Sequence, residues 1–509
     1  MKVGVIYPHQ LYERHPALLG VDHVYLIEEP LFFGNDKRWP MRPHVQKLVL
    51  HRGSMRKFAE NLEVDWTYLK ASEFSGSVEA LRSLSRDISG IKVVRVVDDL
   101  LERRIEQFAR ERDIEIEWCD TPNFITPPDW GHGFFAGGKK PFMAKFYEAQ
   151  RKRMGIMVDG DGNPEGGKWS FDEENRKKLP AKVLLPNEPT SDDIDTEYVE
   201  GVASELESEG LAMWGTVKGF RYPMTREAAL QWLEVFLKER FEHFGVYEDA
   251  LSKRGNFLFH SALTPMLNIG LLNPGEVVER VLAFSSEGRV PLNSLEGFIR
   301  QIIGWREFMK LMYERSGREM RLKNFFGSKD NVPAAVYDGD TGIYPVDKVV
   351  EGLRNNAYSH HIERLMVMGS FFVLMRCKPD SVYRWFMEMY VDAYDWVMVP
   401  NVYGMSQFAN GGGFVTKPYV SGSNYLRKMS DYPKGPWEDA WDSLFWAFVD
   451  DHRDFFASQY RMKMMLSHLT KMGGEKLATH HARAADVRNT LQAGKRWDGG
   501  GASIGGTLL

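Results

Sequence analysis

Along residues 1–120, short apolar runs alternate with stretches in which apolar residues recur every three or four positions. Val3 to Tyr7, His23 to Glu28, Trp66 to Lys70, Lys92 to Val97 and Ile114 to Trp118 predict strands. His51 to Glu63, Ser77 to Ser85 and Leu101 to Arg112 predict helices. Strand-type runs joined by amphipathic helices are expected of parallel strands with crossover connections, so this region predicts a doubly wound parallel-sheet α/β domain. Its ligand cleft should lie at the carboxyl ends of the strands. No Gly-x-Gly-x-x-Gly follows the first strand, which argues against ordinary dinucleotide binding there. His9 and Gln10, just after that strand, could instead line a site for another planar ligand.

Residues 121–224 are rich in Pro, Gly and charge, as in PPDWGHGFFAGGKKP and DGDGNPEGGKW, and read as an interdomain connecting region with one helix over Pro141 to Met154. From 225 to 475 the helical period dominates, with Arg226 to Phe241, Pro274 to Ala283, Ser294 to Arg315, Val346 to Arg376 and Ser381 to Met398 as predicted helices of a large all-α domain. Residues 476–509, rich in Gly, Ala and charge, predict a flexible tail.

Composition narrows the classes. A chain of 509 residues implies two or more domains. Its 43% hydrophobic content includes no run long enough to span a membrane, and MKVGVIYPHQL reads as a strand rather than a signal peptide. The expectation is a cytoplasmic monomer without a membrane partner. Two cysteines, Cys119 and Cys377, leave no disulfide framework and no four-thiolate zinc or iron–sulfur site within one chain. The net charge of −5 gives no global sign of nucleic-acid binding, so any such face must be local. One candidate is Tyr403 to Pro436, where Lys417, Arg427, Lys428 and Lys434 face a single acid, Asp431. Arg151-Lys152-Arg153 is a second basic cluster, and either could be a merely solvated face.

Two groups carry candidate chemistry. Trp385, Phe386, Tyr390, Tyr394 and Trp396, interleaved with Asp392 and Asp395, form either an aromatic core face or electron-hopping stations toward a redox cofactor. His360 and His361 are adjacent and so cannot ligate one metal as an i, i+4 pair would. Each is either a core histidine or, set in a pocket, a general acid.

Several segments together resemble one family. LFHSALTPMLNIGLLNP (Leu258 to Pro274), PLNSLEGFIRQIIGWREF (Pro291 to Phe308), AYSHHIERLMVMG (Ala357 to Gly369) and VDAYDWVMVPNVYGMSQFANGGG (Val391 to Gly413) are similar to the prokaryotic (6-4) photolyases of the iron–sulfur bacterial cryptochrome/photolyase family. Gly304 to Phe308 resembles the Trp-Arg-Glu-Phe signature of that superfamily. The resemblance implies an FAD inside the helical domain and UV-damaged DNA as partner. The activity it implies is light-driven repair of (6-4) pyrimidine–pyrimidone lesions, with a cryptochrome-like photoreceptor without repair as the alternative. It assigns Tyr247, His260, Ser261, Thr264, Arg306, Asp392, Asn401 and Met405 to the flavin. His361, His360, Tyr419, Tyr425 and Gln301 fall in the lesion pocket, with His361 the proton donor, and Lys417, Arg427 and Lys428 fall on the DNA face. Trp385 matches the flavin-proximal electron donor, Phe386 stands where the family has tyrosine, and Tyr337 stands where it has tryptophan, so Tyr390, Tyr394 or Trp396 are the alternative stations. A 6,7-dimethyl-8-ribityllumazine antenna is implied near Gln10, Glu28, His44 and Lys47. The resemblance leaves open a Mg2+ ion assisting DNA binding, with Asp172 and Asp249 in similar segments. The family's cluster cysteines are replaced: Pro345, Pro433 and Pro436 stand in their place, and no iron–sulfur cluster is expected. Packing of Trp437, Trp441 and Trp446 is expected to staple that region instead.

Overall fold

In a computed structural model the chain is described over residues 1–499, except residues 139, 289, 460 and 461. The N-terminal part holds one parallel sheet of β1 (Lys2–Ile6), β2 (His23–Ile27), β3 (Trp66–Leu69), β4 (Gly90–Val94) and β5 (Glu115–Cys119). Their order is β3-β2-β1-β4-β5, with Val3 opposite His23 on one side and Ile91 on the other. Central parallel strands are covered on both faces, which is why β1, β2 and β4 read as continuous apolar runs, whereas edge strands β3 and β5 stay partly open. All five predicted strands are present, their ends shifted by three residues at most.

The chain reverses direction across the sheet between β1 and β4, the position at which such sheets open a crevice. Here protein fills it. Gln10 Nε2 donates to the Val94 carbonyl at 2.8 Å, and His9 Nε2 pairs with the Val96 carbonyl at 2.9 Å.

Helices make up most of the remainder. Leu292–Ile299, a π-helical stretch Arg300–Arg306 and Glu307–Arg321 run on as one rod. Two helices that periodicity predicts as continuous are broken. The first stops at Asn356, where Ala357 turns left-handed (φ 50°), and resumes as the π-helical Glu363–Gly369. The second stops at Met389, Tyr390 being extended, and resumes at Asp395–Val399. Apolar period continues through both breaks because the broken segments stay buried. The predicted tail also differs: Gly474–Gln492 is a helix whose buried His480, Ala484, Val487 and Leu491 form one stripe against the helix Pro436–Asp451. Residues 500–509 of that predicted tail lie outside the described residues. Among the described residues no helix is long and apolar enough to cross a membrane.

Candidate functional site

The two helix breaks build the site. Val391 N–H donates to the Ala357 carbonyl at 2.9 Å, pinning one break against the other and holding Asp392, 4% exposed, at the centre of a polar group. Arg364 grips Asp392 with two parallel bonds, Nη1 to Oδ1 at 2.9 Å and Nη2 to Oδ2 at 3.0 Å. Thr264 Oγ1 donates to Oδ2 at 2.6 Å, and Asn268 Nδ2 donates to the Asp392 carbonyl at 2.8 Å. Arg306 Nη1 donates in turn to Asn268 Oδ1 at 2.6 Å, its guanidinium lying 5.1 Å from the Phe124 ring centre and 4.8 Å from that of Trp396. Burial pulls Arg306 down to about 10.

Three π-helical stretches carry much of this machinery. Arg300–Arg306 holds Gln301 and Arg306, Glu363–Gly369 holds Arg364, and Pro400–Ser406 holds Asn401 and Met405. A π turn inserts a residue and re-aims the side chains around it, and such turns occur frequently at functional sites. Asn401 caps its own helix on the Val397 carbonyl at 2.8 Å, and Met405 is buried.

The loop before Thr264 stores backbone strain at two non-glycine residues, Leu258 (φ 45°) and Ala262 (φ 48°). Left-handed conformations cost about 1–2 kcal/mol each and persist where packing over-determines them. Between them the Ser261 carbonyl accepts from Trp232 Nε1 at 2.8 Å, and His260 is laid flat on His360 with ring centres 4.5 Å apart and planes 8° apart. His260 Nε2, both ring nitrogens of His360 and Arg306 Nε are buried, and among the described residues none finds a hydrogen-bond partner. A buried polar atom without a partner is costly, so this wall fits a ligand rich in amide and phosphate groups. His361 is exposed, and desolvation by the surrounding protein, then Arg364, push it down to about 4. Burial takes His260 to about 3 and His360 well below its usual range. All three imidazoles are neutral at pH 7.

Beyond the histidines, Gln301 Nε2 donates to Glu248 Oε1 at 2.6 Å, and Asn175 Nδ2 donates to the other oxygen at 2.9 Å. Tyr419 and Tyr425 are half-buried; burial raises both hydroxyls, followed by the fields of Asp172 on the first and Asp249 on the second. Arg176 pairs with Asp172 and lies 3.9 Å from Asp249. Burial pushes Glu248 up to about 7 and Asp249 to about 6. Lys417 and Lys428 are exposed, and Arg427 is paired with Glu438 at 3.0 Å.

Trp385 is fully buried, 5.0 Å from Phe372 and 5.9 Å from Tyr390 between ring centres. Phe386 stacks on Tyr390 at 5.4 Å, and Arg364 lies 4.2 Å above the Tyr390 ring. Tyr337 donates to Glu388 at 2.9 Å and lies under Arg42. Tyr247 stacks on Phe259.

The four antenna candidates are buried and bonded to protein. Arg52 grips Glu28 at 2.6 and 2.7 Å, His44 meets the Arg354 carbonyl, Lys47 donates to the Ala393 carbonyl at 2.6 Å, and Gln10 closes the β1–β4 crevice. These residues do not fit a lumazine as they stand. A cavity of about 1720 Å³ lies instead beside the strand ends, lined by Trp39, Met41, Phe124, Tyr313 and Tyr383.

Of Pro345, Pro433 and Pro436, the first and the last sit in the first turns of their helices. Trp437 Nε1 donates to the Pro433 carbonyl at 2.9 Å, Trp441 Nε1 to the Ser421 carbonyl at 2.8 Å, and Trp446 is half-buried against Phe445. Sequence reasoning missed Trp497, whose N–H donates to the Thr341 carbonyl at 3.1 Å, as well as Arg364, Asn268 and Glu248. Arg364 left one signal, an isolated cation in an apolar run, but its partner lies 28 residues away.

The chain is 32% identical over 481 residues to a (6-4) photolyase of Agrobacterium fabrum, covering 88% of this chain and 90% of that protein. The family model for deoxyribodipyrimidine photo-lyase-related protein matches residues 4–222. Among solved structures, a bacterial class III photolyase from Agrobacterium tumefaciens aligns with a TM-score of 0.54 at 17% identity, over 84% of this chain and 86% of the other. A Sulfolobus tokodaii photolyase with two FAD molecules aligns with a TM-score of 0.52 at 14% identity, over 80% and 83% of the chains. The sheet, the helical half and the likeness along most of the chain agree: this protein belongs to the deoxyribodipyrimidine photo-lyase-related family of the photolyase/cryptochrome superfamily.

Proposed function

We propose that this chain repairs (6-4) lesions in UV-damaged DNA, using light and reduced FAD. The observation that carries the reading is the exposed His361 standing beside the His260–His360 stack and the Arg364–Asp392 pair. The relative's name as a (6-4) photolyase supports the same choice of lesion. Arg306, Asp392, Thr264, Ser261, His260, Asn401, Met405 and Tyr247 would hold the flavin. Bound and reduced, FAD supplies the light-driven electron. The chain's part is to exclude water, to receive a flipped-out base between Gln301, Tyr419 and Tyr425, and to hold a proton at the His361 ring. A damaged pair stacks weakly, so flipping it costs less than flipping an intact one. Lys417 and Lys428 would meet phosphates, and a Mg2+ ion between Asp172, Asp249 and a phosphate would relieve their mutual repulsion. Trp385 and Tyr390 would refill the flavin's electron through their ring contact. The cavity beside the strand ends would take a second chromophore.

The test is to illuminate the reduced protein with duplexes carrying one (6-4) lesion or one cyclobutane dimer. Restoration of the first but not the second is expected. A flavin-loaded protein that restores neither would favour the photoreceptor reading.

A further inference from the structure

Gln301, half-buried in the π-helical stretch Arg300–Arg306, has an amide with two chemically different ends, and its surroundings fix which end points where. Nε2 donates to Glu248 Oε1 at 2.6 Å and lies 3.3 Å from the Gly297 carbonyl. A backbone carbonyl has no proton to give in any state, so the nitrogen end belongs on this side whether or not Glu248, which burial raises to about 7, is protonated. Gln301 Oε1 is thereby turned away from Glu248, and among the described residues it accepts from no group. Glu248 is itself held: its other oxygen accepts from Asn175 Nδ2 at 2.9 Å and lies 3.6 Å from Arg300 Nη2. Asn175, 1% exposed, accepts in turn from Asn293 Nδ2 at 3.1 Å, and Arg300 is fixed by Asp172 at 3.1 Å and Glu296 at 3.2 Å. The same acids border the two tyrosines, since Tyr419 feels the field of Asp172 and Tyr425 that of Asp249, the residue after Glu248.

We propose that Glu248 is the positioning residue that presents Gln301 to the flipped base as a hydrogen-bond acceptor, so that the pocket selects a pyrimidine ring carrying an imide N–H. This deepens the repair reading above and rests on it. A carbonyl oxygen accepts from the N3–H of a thymine-type ring and finds nothing to bond on a ring methylated there. An amide free to turn would meet donors and acceptors alike and discriminate weakly between them. Fixing it before the base arrives also spares the cost of ordering the side chain on binding. Glu248 touches Gln301 and not the lesion.

The experiment measures, in the dark, the affinity of the flavin-loaded protein for three duplexes: undamaged, carrying one (6-4) lesion, and carrying the same lesion methylated at N3 of its 5′ ring. The native protein should bind the methylated lesion about tenfold more weakly than the unmodified one. In Glu248→Ala that ratio should fall to the part owed to the methyl group's bulk, and in Gln301→Ala to the same value. Combining the two changes should lower it no further, as expected of two residues that act as one unit. Glu248→Gln keeps the volume but can offer Gln301 either a donor or an acceptor, so it should narrow the ratio even where the alanine variant folds poorly. A Glu248 that served only as packing would weaken both lesions alike and leave the native ratio in its variants, which would overturn the proposal. Equal binding of the two lesions by the native protein would overturn it as well. No preference of the native protein for the (6-4) duplex over the undamaged one would overturn the repair reading itself, and the proposal with it.

Discussion

Asp392 shows how little one residue's sequence context says about its work. It lies in an aromatic-rich run that suits a core helix equally well, and its function follows from contacts with Arg364, Thr264 and Asn268, each distant along the chain. Replacing Asp392 by Asn keeps the shape but leaves the buried Arg364 charge unbalanced, a loss of about 3–5 kcal/mol where one partner of a buried pair is removed. Denaturant unfolding should show that loss, and flavin per mole of protein should fall with it. The alanine change at Arg364 is expected to be at least as damaging. Histidine was more legible: His360 and His361 announce themselves as a pair, but that His360 is stacked and buried while His361 is exposed is not, since the stacking partner, His260, lies about a hundred residues earlier.

At the scale of elements, the sheet was read almost residue by residue, because parallel strands buried on both faces leave continuous apolar runs. The helical breaks at Ala357 and Tyr390 were not, because burial continues through them and no glycine or proline marks either one. Those breaks place the site, so the elements legible in sequence form the scaffold and the illegible ones carry the chemistry. The C-terminal helix was misread for a related reason: its composition is polar, and only a narrow stripe docks on Pro436–Asp451. The strap beyond it ends in Trp497, 4% exposed, which reaches the Thr341–Gly342 turn, while Gly499 lies against Pro436. This strap joins two of the segments that hold Pro345, Pro433 and Pro436. Trp497→Ala should therefore cost about 3–5 kcal/mol in unfolding experiments. Gly342→Ala should also destabilise, since Gly342 has φ +77° and a Cβ there would stand 2.0 Å from the Trp497 carbonyl oxygen. A variant with native stability at both positions would remove the strap from the account.

For the whole molecule, buried titratable groups set the pH dependence of folding. His9 and His44 are lowered to about 4 and His15 and His260 to about 3, each mainly by burial. A histidine with a depressed folded value stabilises fully above its unfolded value of about 6.5, and that contribution is lost as pH falls below it. Glu29, Glu248 and Asp98 are raised to about 7 and Glu363 to about 8, again mainly by burial. These acids release their protons more readily when unfolded, so they reduce stability as pH rises from about 4 to 8. Stability should therefore peak near pH 6.5 and decline on both sides, as denaturation midpoints at acid, near-neutral and mildly alkaline pH would show. On the proposed function, the neutral, exposed His361 and the groups behind it serve repair of a flipped (6-4) lesion. The most direct test is single-flash repair of a defined (6-4) duplex by the reduced, flavin-loaded protein and by its His361→Ala variant. Repair by the native chain is expected, with a loss of about 10²–10⁴-fold in the variant and flavin content and duplex affinity kept. Equal repair by the two proteins, or none by the native one with flavin bound, would contradict it.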